Sequence, residues 1–351
     1  MADSKARIGI LGASGYTGGE LVRLLLRHPH AEIKALTADR HAGQAMTAVF
    51  PQFAGAELPK LVKIEEIDAN ALDFVFCGLP HGTTQTVIKN LLAASTKLKI
   101  ADLSADFRLQ DPVMYEKWYG HAHSAPELQG EAIYGLAEIY REQIKKARLV
   151  AVPGCFPATS ITAIVPLLEA GAIDPDALVI DAKTGMTGAG RAAKENMLFG
   201  EVSEGIHAYG VGSHRHTAEL DQEFSLAAKR PVTVTFTPHL APMNRGIYAT
   251  HYVKLLGKTT AEQLHGLLVD FYKNEPFVKV LDLGLVPQSR HVRGSNFIQI
   301  GVIADRVPGK AIVISTLDNL IKGASGLAVQ DMNLMLGFPE TEGLMQLALF
   351  P

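Results

Sequence analysis

Short apolar runs alternate with longer apolar stretches along the first half of the chain. Runs that are rich in β-branched residues and stop at glycine or proline predict buried strands, whereas the longer stretches predict helices. The predicted strands cover residues 7–11, 32–37, 72–77, 98–103 and 147–153, and the predicted helices cover residues 20–27 and 158–170. Strands that alternate with helices in this way favour an α/β domain with a parallel, doubly wound sheet.

The second half of the chain has a different pattern. Strand-like segments cover residues 178–183, 232–238, 246–255 and 297–305, and helix-like segments lie near residues 216–224 and over residues 261–273. This mixture predicts an α+β domain. A last apolar helix is predicted to end at Leu336, and we expect it to pack back on the first domain. A length of 351 residues also favours two domains, because single cores rarely grow that large.

Composition and charge narrow the possible functions. The net charge of −3 and the pI near 6.5 argue against nucleic acid or an anionic membrane as a partner. No run approaches 18 uninterrupted apolar residues, and the polar start MADSKAR shows no signal peptide, so we expect a cytoplasmic enzyme. Two cysteines cannot form a disulfide framework or a cysteine-rich zinc site.

Cys155 stands at the junction between a predicted strand and a predicted helix, in the sequence Pro153-Gly154-Cys155-Phe156-Pro157. The first turn of a helix offers unpaired amide groups and the positive end of the helix dipole, which favour thiolate over thiol. The position therefore suits a nucleophile. The alternative is a small buried hydrophobic residue, which is the common role of a reduced cysteine and the one we predict for Cys77.

A glycine-rich turn follows the first predicted strand and precedes the first predicted helix. It reads Gly12-Ala13-Ser14-Gly15-Tyr16-Thr17-Gly18-Gly19. Strand, glycine turn and helix in this order are typical of dinucleotide binding, since the backbone can approach a pyrophosphate there. The spacing G-x-x-G-x-x-G is a variant of the common motif, and a connection without a ligand is the alternative.

The second predicted strand ends without the acidic residue that would bind a ribose 2′-hydroxyl, and Arg40 follows it. This favours NADP over NAD, although Asp39 is adjacent and a solvated arginine is the simpler interpretation. The turns at residues 78–82, which include Pro80, and at residues 104–108 follow two further strands. Turns at the carboxyl ends of parallel strands line the ligand crevice.

Two more segments carry candidate chemistry. Residues 184–191 contain three glycines between Lys183 and Arg191, so they form either an anion site or a mobile surface loop. His214, His216 and Glu219 lie close together near a predicted helix start, where Glu219 could orient the His216 imidazole or bind a substrate group. Zinc is the alternative, but no third ligand pattern accompanies the two histidines.

A nucleotide fold, a cysteine nucleophile and a nearby histidine suit one reaction class. In that class a thiolate attacks an activated acyl group, a leaving group departs, and a hydride reduces the resulting thioester. The histidine serves as acid and base.

The sequence also resembles the N-acetyl-γ-glutamyl-phosphate reductases of arginine biosynthesis, within the aspartate-semialdehyde dehydrogenase superfamily, over nearly its whole length. The resemblance rests on eight motifs: GASGYTGGEL at 12–21, LPHG at 79–82, SADFRL at 104–109, YGLAE at 134–138, VPGCFPA at 152–158, TGAGR at 187–191, HRHTAE at 214–219 and DNLIKGASG at 318–326. The family usually has proline where Ala137 and Ala218 stand, and a serine-rich loop at 183–187. Alanine at positions 137 and 218 removes no functional group, so the chemistry is unaffected. The different loop at 183–187 leaves the identity of the acyl group in the substrate open.

The resemblance implies a Rossmann-type NADP-binding domain (residues 1–154 and 318–351) and a semialdehyde-dehydrogenase-type α+β catalytic and oligomerisation domain (residues 155–317). It implies Cys155 as nucleophile and His216 as acid/base, without a metal. The implied substrate contacts are Arg108, His214 and Glu219, and the position of Lys183 beside the glycine-rich loop adds it as a candidate. The implied NADP contacts are Gly12, Ser14, Gly15, Tyr16, Thr17, Gly18, Gly188 and Asn319, to which the sequence pattern after two strands adds Arg40 and Pro80.

The implied reaction is NADPH-dependent reduction of an acyl phosphate with release of inorganic phosphate, in a cytoplasmic homodimer or homotetramer. A sister activity on a carrier-protein-linked aminoadipyl or glutamyl phosphate has the same motifs and remains open. So do a non-catalytic NADP-binding sensor and a cysteine hydrolase or acyltransferase that uses no nicotinamide.

Overall fold

The computed structural model describes residues 5–350, which group into two compact units. The first unit comprises residues 5–153 and 324–345, and the second comprises residues 154–323 and 346–350. This division differs from the domain boundaries expected from the sequence at residue 154, residues 318–323 and residues 346–350, which group with the second unit.

The first unit contains a seven-stranded sheet in which every strand pair is parallel. Its strands are β1 Ala6–Leu11, β2 Ala31–Thr37, β3 Leu61–Val62, β4 Phe74–Cys77, β5 Lys99–Asp102, β6 Ile133–Tyr134 and β7 Leu149–Ala151. The order is β3-β2-β1-β4-β5-β7-β6. Successive strands are therefore added on one side of β1 up to β3 and on the other side from β4 onward, so the switch point lies between β1 and β4. Ligands of such sheets bind at this switch point, beyond the carboxyl ends of the strands.

The helices of this part of the chain are α1 Tyr16–Leu25, α2 Thr84–Ala94, α3 Pro112–Tyr119, α4 Pro126–Gln129 and α5 Ala137–Lys146. Apolar residues of α2, such as Ile88 and Leu92, pack with Val75, Ile100 and Leu149 of the sheet in one buried cluster. The predicted parallel, doubly wound sheet is confirmed, because the β-branched runs identified in the sequence are buried strands here.

The second unit contains a mixed seven-stranded sheet in the order β12-β13-β14-β11-β8-β10-β9. Its strands are β8 Val179–Thr184, β9 His207–Ala208, β10 Thr235–Leu240, β11 Ile247–Lys254, β12 Val278–Val280, β13 Ile298–Ala304 and β14 Lys310–Leu317. β10 begins three residues later than predicted, at Thr235. β14 is absent from the sequence-based prediction, although it pairs with both β11 and β13.

Four helices accompany this sheet: α6 Cys155–Glu169, α7 Phe199–Val202, α8 His216–Ala228 and α9 Ala261–Tyr272. Every residue of α6 from Phe156 to Leu168 is buried, against β11, β14, α8 and α9. A helix that is apolar on all sides belongs in the middle of a domain. The first residue of α6, Cys155, is therefore held by a rigid element, and the predicted α+β class is confirmed.

A π-helix, Ile321–Ser325, precedes the last helix, α10 Gly326–Leu336. α10 packs against α1 and α5 within the first unit, and the Ser325 hydroxyl donates to the carbonyl oxygen of Thr17 at 2.9 Å. The C-terminal helix thus supports the glycine turn that leads into α1. Over residues 5–350, none of the helices is both long enough and apolar enough to cross a membrane.

Candidate functional site

Cys155 is the first residue of α6, as predicted. The preceding residue, Gly154, is the N-cap, and no side chain caps the helix. The amide groups of the first turn and the positive end of the helix dipole are therefore directed toward the cysteine. Cys155 is half-buried, whereas Cys77 is fully buried and has a thiol whose pKa is raised well above its usual value by burial. The two cysteines therefore differ as predicted in their access to solvent.

His216 and Glu219 contact the backbone that precedes the cysteine. The Gly154 N–H donates to Glu219 Oε2 at 3.0 Å, and His216 Nε2 lies 4.0 Å from Glu219 Oε1. A Cβ atom added to Gly154 would lie only 2.4 Å from His216 Nε2. The imidazole therefore packs directly on Gly154, next to Cys155, and only glycine leaves room for it.

Glu219 is completely buried, and its oxygens face Gly154 and His216. The sequence left two roles open for Glu219, orienting the His216 imidazole or binding a substrate group. In the structure its oxygens contact the Gly154 N–H and the His216 ring, as the first role requires.

His214 is half-buried, and burial lowers its pKa to about 4, with the adjacent Arg215 as a second cause. Its Nδ1 accepts a hydrogen bond from the His216 backbone N–H at 3.2 Å, so the neutral ring carries its proton on Nε2. The ring centroids of His214 and His216 are 4.8 Å apart. His214 therefore helps to hold His216 and presents a neutral donor.

Tyr209 belongs to the same cluster but was not identified from the sequence. Its ring centroid lies 5.3 Å from that of His214, and its backbone N–H donates to the Pro238 carbonyl oxygen at 3.1 Å. Burial raises the pKa of the phenol, and the charge of Cys155 raises it further, so the hydroxyl stays protonated near the sulfur. The sequence around Tyr209 contains no motif that points to a functional site, and tyrosine is a common residue in loops.

Asn319 supports the glycine-rich loop that follows β8. Its Oδ1 accepts from the Gly246 N–H at 2.8 Å, and its Nδ2 donates to the Thr187 hydroxyl at 3.0 Å. A Cβ on Gly188 would lie 3.9 Å from that Nδ2. Asn319 and Gly188 therefore lie close together, and the asparagine side chain has a structural role in holding the loop.

Among the described residues, no contact joins Lys183 to Cys155, His216 or Glu219. Lys183 alternates along β8 with Ala182 and Thr184, which are buried, and its own side chain is partly exposed. Its Nζ pairs with Asp181 Oδ1 at 2.7 Å. Because adjacent strand residues point to opposite faces, Lys183 lies on the face opposite to the buried Ala182 and Thr184. The contact between Lys183 and a substrate stays a prediction.

Gly323 of the π-helix lies against Cys155. A Cβ at this position would lie 2.8 Å from Cys155 Cβ and 3.1 Å from Leu317 Cδ1. π-helical turns are rare and are frequent at functional sites. Gly323 therefore sets the space in which the Cys155 side chain rests.

We expect Gly323→Ala to lower kcat by about 10²-fold, since a small displacement of a reacting group costs that much. The measurement is the steady-state rate together with the rate at which iodoacetamide alkylates Cys155. Gly266→Ala is the matched control, because Gly266 is helical and has open space around its Cα. Wild-type values of both rates in Gly323→Ala would contradict this role.

The glycine turn of the first unit is closely packed. Gly12 has φ +79°, and a Cβ there would lie 2.4 Å from the Gly78 carbonyl oxygen, while a Cβ on Gly18 would lie 2.6 Å from the Gly12 carbonyl oxygen. α1 starts at Tyr16 with Gly15 as N-cap and without a side-chain cap. The turn, which includes Ser14 and Thr17, therefore presents backbone at a helix start, as anion binding requires.

The remaining predicted positions of the first unit lie at the ends of its strands. Arg40 is exposed in a short 3₁₀ helix, Asp39–His41, just after β2. Pro80 lies in the turn after β4, and Arg108 lies after β5. Arg108 is 7% exposed, and its guanidinium donates to the carbonyl oxygens of Val152 at 2.7 Å and Leu103 at 3.0 Å. In the part of the chain described, no cluster of three His, Cys, Asp or Glu residues could hold a metal ion.

Comparison with protein families gives two matches. Residues 7–147 match the semialdehyde dehydrogenase NAD binding domain, and residues 155–319 match the semialdehyde dehydrogenase dimerisation domain. Solved structures of low identity share the fold. Aspartate semialdehyde dehydrogenase II from Vibrio cholerae, complexed with ASA, has a TM-score of 0.72 at 16% identity over 95% of this chain and 99% of its own. A probable aspartate-semialdehyde dehydrogenase from Pseudomonas aeruginosa has a TM-score of 0.71 at 15% identity, with the same coverage of both chains.

Curated relatives are similar over the full length. A protein of Afipia carboxidovorans named N-acetyl-gamma-glutamyl-phosphate reductase is 65% identical over 99% of both chains. One of the same name from Rhodospirillum rubrum is 61% identical over 99% of both chains. A probable chloroplastic N-acetyl-gamma-glutamyl-phosphate reductase of Arabidopsis thaliana is 55% identical over 98% of this chain and 85% of its own.

Proposed function

Because this chain belongs to the N-acetyl-γ-glutamyl-phosphate reductases of the semialdehyde dehydrogenase family, we propose that it reduces N-acetyl-γ-glutamyl phosphate to N-acetylglutamate 5-semialdehyde in arginine biosynthesis. The observation that carries this proposal is the position of Cys155 at the start of α6, with His216 packed on Gly154. The products are the aldehyde, inorganic phosphate and the oxidised cofactor.

Cys155 forms a covalent intermediate. Its thiolate attacks the acyl carbonyl carbon, the carbon–oxygen bond to phosphate breaks, and phosphate leaves with the bonding electron pair, which produces a thioester. When bound, a nicotinamide cofactor would supply the hydride needed to reduce this thioester. His216 protonates the carbonyl oxygen as the hydride arrives and removes that proton when the carbon–sulfur bond breaks, which restores the thiolate.

The groups around the nucleophile prepare it for these steps. Glu219 accepts a hydrogen bond from the Gly154 N–H and orients the His216 ring. His214 accepts a hydrogen bond from the backbone N–H of His216. We therefore assign positioning roles to Glu219 and His214. Arg108 remains our candidate for a group that binds an anionic part of the substrate, because a guanidinium suits phosphate and carboxylate alike.

The first unit fits a dinucleotide. Gly12 and Gly18 allow the turn to pack closely, because a Cβ on either would clash with neighbouring backbone, and the start of α1 adds backbone N–H groups and dipole charge. The residues that would hold the cofactor are those of the glycine turn, with Pro80 beside it. Gly188 and Asn319 are proposed for the nicotinamide half. Exposed Arg40 after β2 supports NADP as the preferred form.

We expect Arg40→Ala to raise KM for NADPH by about tenfold, since a charge-assisted hydrogen bond contributes that much, and to leave KM for NADH nearly unchanged. Steady-state kinetics with each cofactor measure the effect. Lys34→Ala, which removes another exposed cation of this region, is the control. An equal change for both cofactors would show that Arg40 does not recognise the 2′-phosphate.

We also propose a cytoplasmic homo-oligomer, either a dimer or a tetramer. The match of residues 155–319 to a dimerisation domain supports self-association through the second unit. The first unit then binds the nucleotide and the second carries the nucleophile.

An absorbance assay at the nicotinamide band tests the function directly. Purified enzyme with N-acetylglutamate semialdehyde, phosphate and NADP should produce NADPH. Omission of phosphate should stop continuous NADPH production, because no acyl phosphate can then be released. Activity only with a carrier-protein-linked substrate would instead identify the sister reaction. Tight NADPH binding without turnover would indicate a sensor, and acyl transfer without NADPH binding would indicate a cysteine transferase.

A further inference from the structure

A single buried carboxylate, Asp106, joins two turns of the first unit. The turns are residues 78–82, which follow β4, and residues 103–108, which follow β5. Asp106 is 0% exposed. None of the steps proposed for Cys155 and His216 involves Asp106, which is distant from both residues in the sequence.

The turn at residues 78–82 lies against the glycine turn. The Gly78 N–H donates to the Leu11 carbonyl oxygen at 2.9 Å, and the Gly78 carbonyl oxygen fills the space beside Gly12. Any shift of residues 78–82 therefore changes the backbone against which the glycine turn packs. The position of this turn matters for a ligand at the switch point.

Asp106 holds that turn through its last residue. The Gly82 N–H lies 2.9 Å from both carboxylate oxygens, and Gly82 has φ +81°, a conformation that glycine adopts without strain. The neighbouring residue adds a second link, because the Ala105 N–H donates to His81 Nδ1 at 3.0 Å. Two adjacent residues of one turn thus hold two adjacent residues of the other.

Two buried hydroxyl groups fix the carboxylate itself. Thr84, the first residue of α2, donates to Oδ2 at 2.5 Å, and Tyr115 of α3 donates to Oδ1 at 2.8 Å. Tyr115 in turn accepts from Gln85 Nε2 at 2.7 Å, and burial raises the pKa of its phenol, so it remains a donor. The Gly82 N–H and the two hydroxyl groups all donate to Asp106, whose carboxylate offers two accepting oxygens where an amide offers one.

We propose that Asp106 is a positioning residue that holds residues 78–82 beside the glycine turn and thereby sets the affinity for the pyrophosphate of the dinucleotide, which the glycine turn would hold. This rests on the proposed function, since it assumes that the glycine turn binds the cofactor. The adenosine side, near the end of β2, does not depend on Asp106, because that part of the crevice is formed by other residues.

Asp106→Ala should raise the Kd for NADPH by about tenfold or more, because the charge-assisted hydrogen bonds that fix the turn are lost. The Kd for 2′-AMP, which carries only the adenosine half, should change less than about twofold. Asp106→Asn keeps the size of the side chain. Either orientation of its amide sets an NH₂ group against the Gly82 N–H, so a several-fold rise in the NADPH Kd is expected here too.

Asp111→Ala is the matched control. Asp111 caps α3, the helix of Tyr115, and accepts from the Val113 N–H at 2.8 Å. Its loss should lower Tm while leaving both dissociation constants unchanged. The rate of Cys155 alkylation should stay at the wild-type value in all three variants, as a check on the second unit.

Titration of NADPH and 2′-AMP by fluorescence and calorimetry decides the question. A selective loss of NADPH affinity in Asp106→Asn supports the proposal even if Asp106→Ala does not fold. An NADPH Kd in folded Asp106→Asn within about twofold of wild type, or equal losses for NADPH and 2′-AMP, would overturn it. Failure of the wild-type protein to bind NADPH would instead reject the proposed function.

Discussion

Replacing Cys155 by serine will lower turnover by about 10⁴-fold or more, because a hydroxyl is far less acidic than a thiol and a helix start cannot ionise it. The covalent step then has no nucleophile. NADPH affinity should stay nearly unchanged, since the glycine turn belongs to the first unit and Cys155 belongs to the second. Rate measurements and a fluorescence titration on the same preparation separate the two effects.

Cys77→Ala is the control for this substitution. Cys77 is 0% exposed at the end of β4, and its raised thiol pKa makes it unreactive. The variant should keep its turnover and lose about 1 kcal/mol of stability through the small cavity. Iodoacetamide should label one cysteine per chain in the wild type and none in Cys155→Ser. Near-normal turnover in Cys155→Ser would reject the covalent mechanism.

The second large effect is expected for His216→Asn, with a loss of about 10² to 10⁴-fold in kcat, which is the usual contribution of a positioned general acid and base. Asparagine retains a polar side chain at the start of α8 but cannot transfer a proton. The pH dependence of kcat should lose the limb that the imidazole contributes, and iodoacetamide should alkylate Cys155 more slowly at neutral pH.

His207→Asn provides the comparison. His207 is exposed on the two-residue strand β9, within the same loop region, and should tolerate the change with an unaltered kcat. If His216→Asn kept the wild-type pH–rate profile, the proton transfers would have to be assigned to another group, and Tyr209 would be the first to examine.

Local sequence pattern predicted most of the fold. The buried strands β1, β4 and β5 are short apolar runs, and the junction of Pro153-Gly154 with α6 combines a strand stop with a long apolar helix. These features depend on neighbours in the chain, so a sequence reveals them. β14 is an apolar run too, but its place between β11 and β13 is set by pairing with distant segments.

The site was less accessible to sequence reasoning. Tyr209 and Gly323 reach Cys155 only through the fold of the second unit, and neither residue type is unusual where it stands. For Lys183 the sequence did contain a usable signal, namely the alternation of β8. This alternation buries Ala182 and Thr184 and turns Lys183 to the other face of the sheet. Glu219 was found, but its burial, which decides between substrate contact and support, is a property of the packed structure.

The central claim is that Cys155 carries the acyl group, and a single-turnover experiment without NADPH tests it most directly. Wild-type enzyme mixed with N-acetyl-γ-glutamyl phosphate should release about one phosphate per subunit in a burst, as expected for acyl-enzyme accumulation. Mass spectrometry should then find one N-acetylglutamyl group on the peptide that contains Cys155. Steady NADPH oxidation by an enzyme that shows neither the burst nor the adduct on Cys155 would contradict the account.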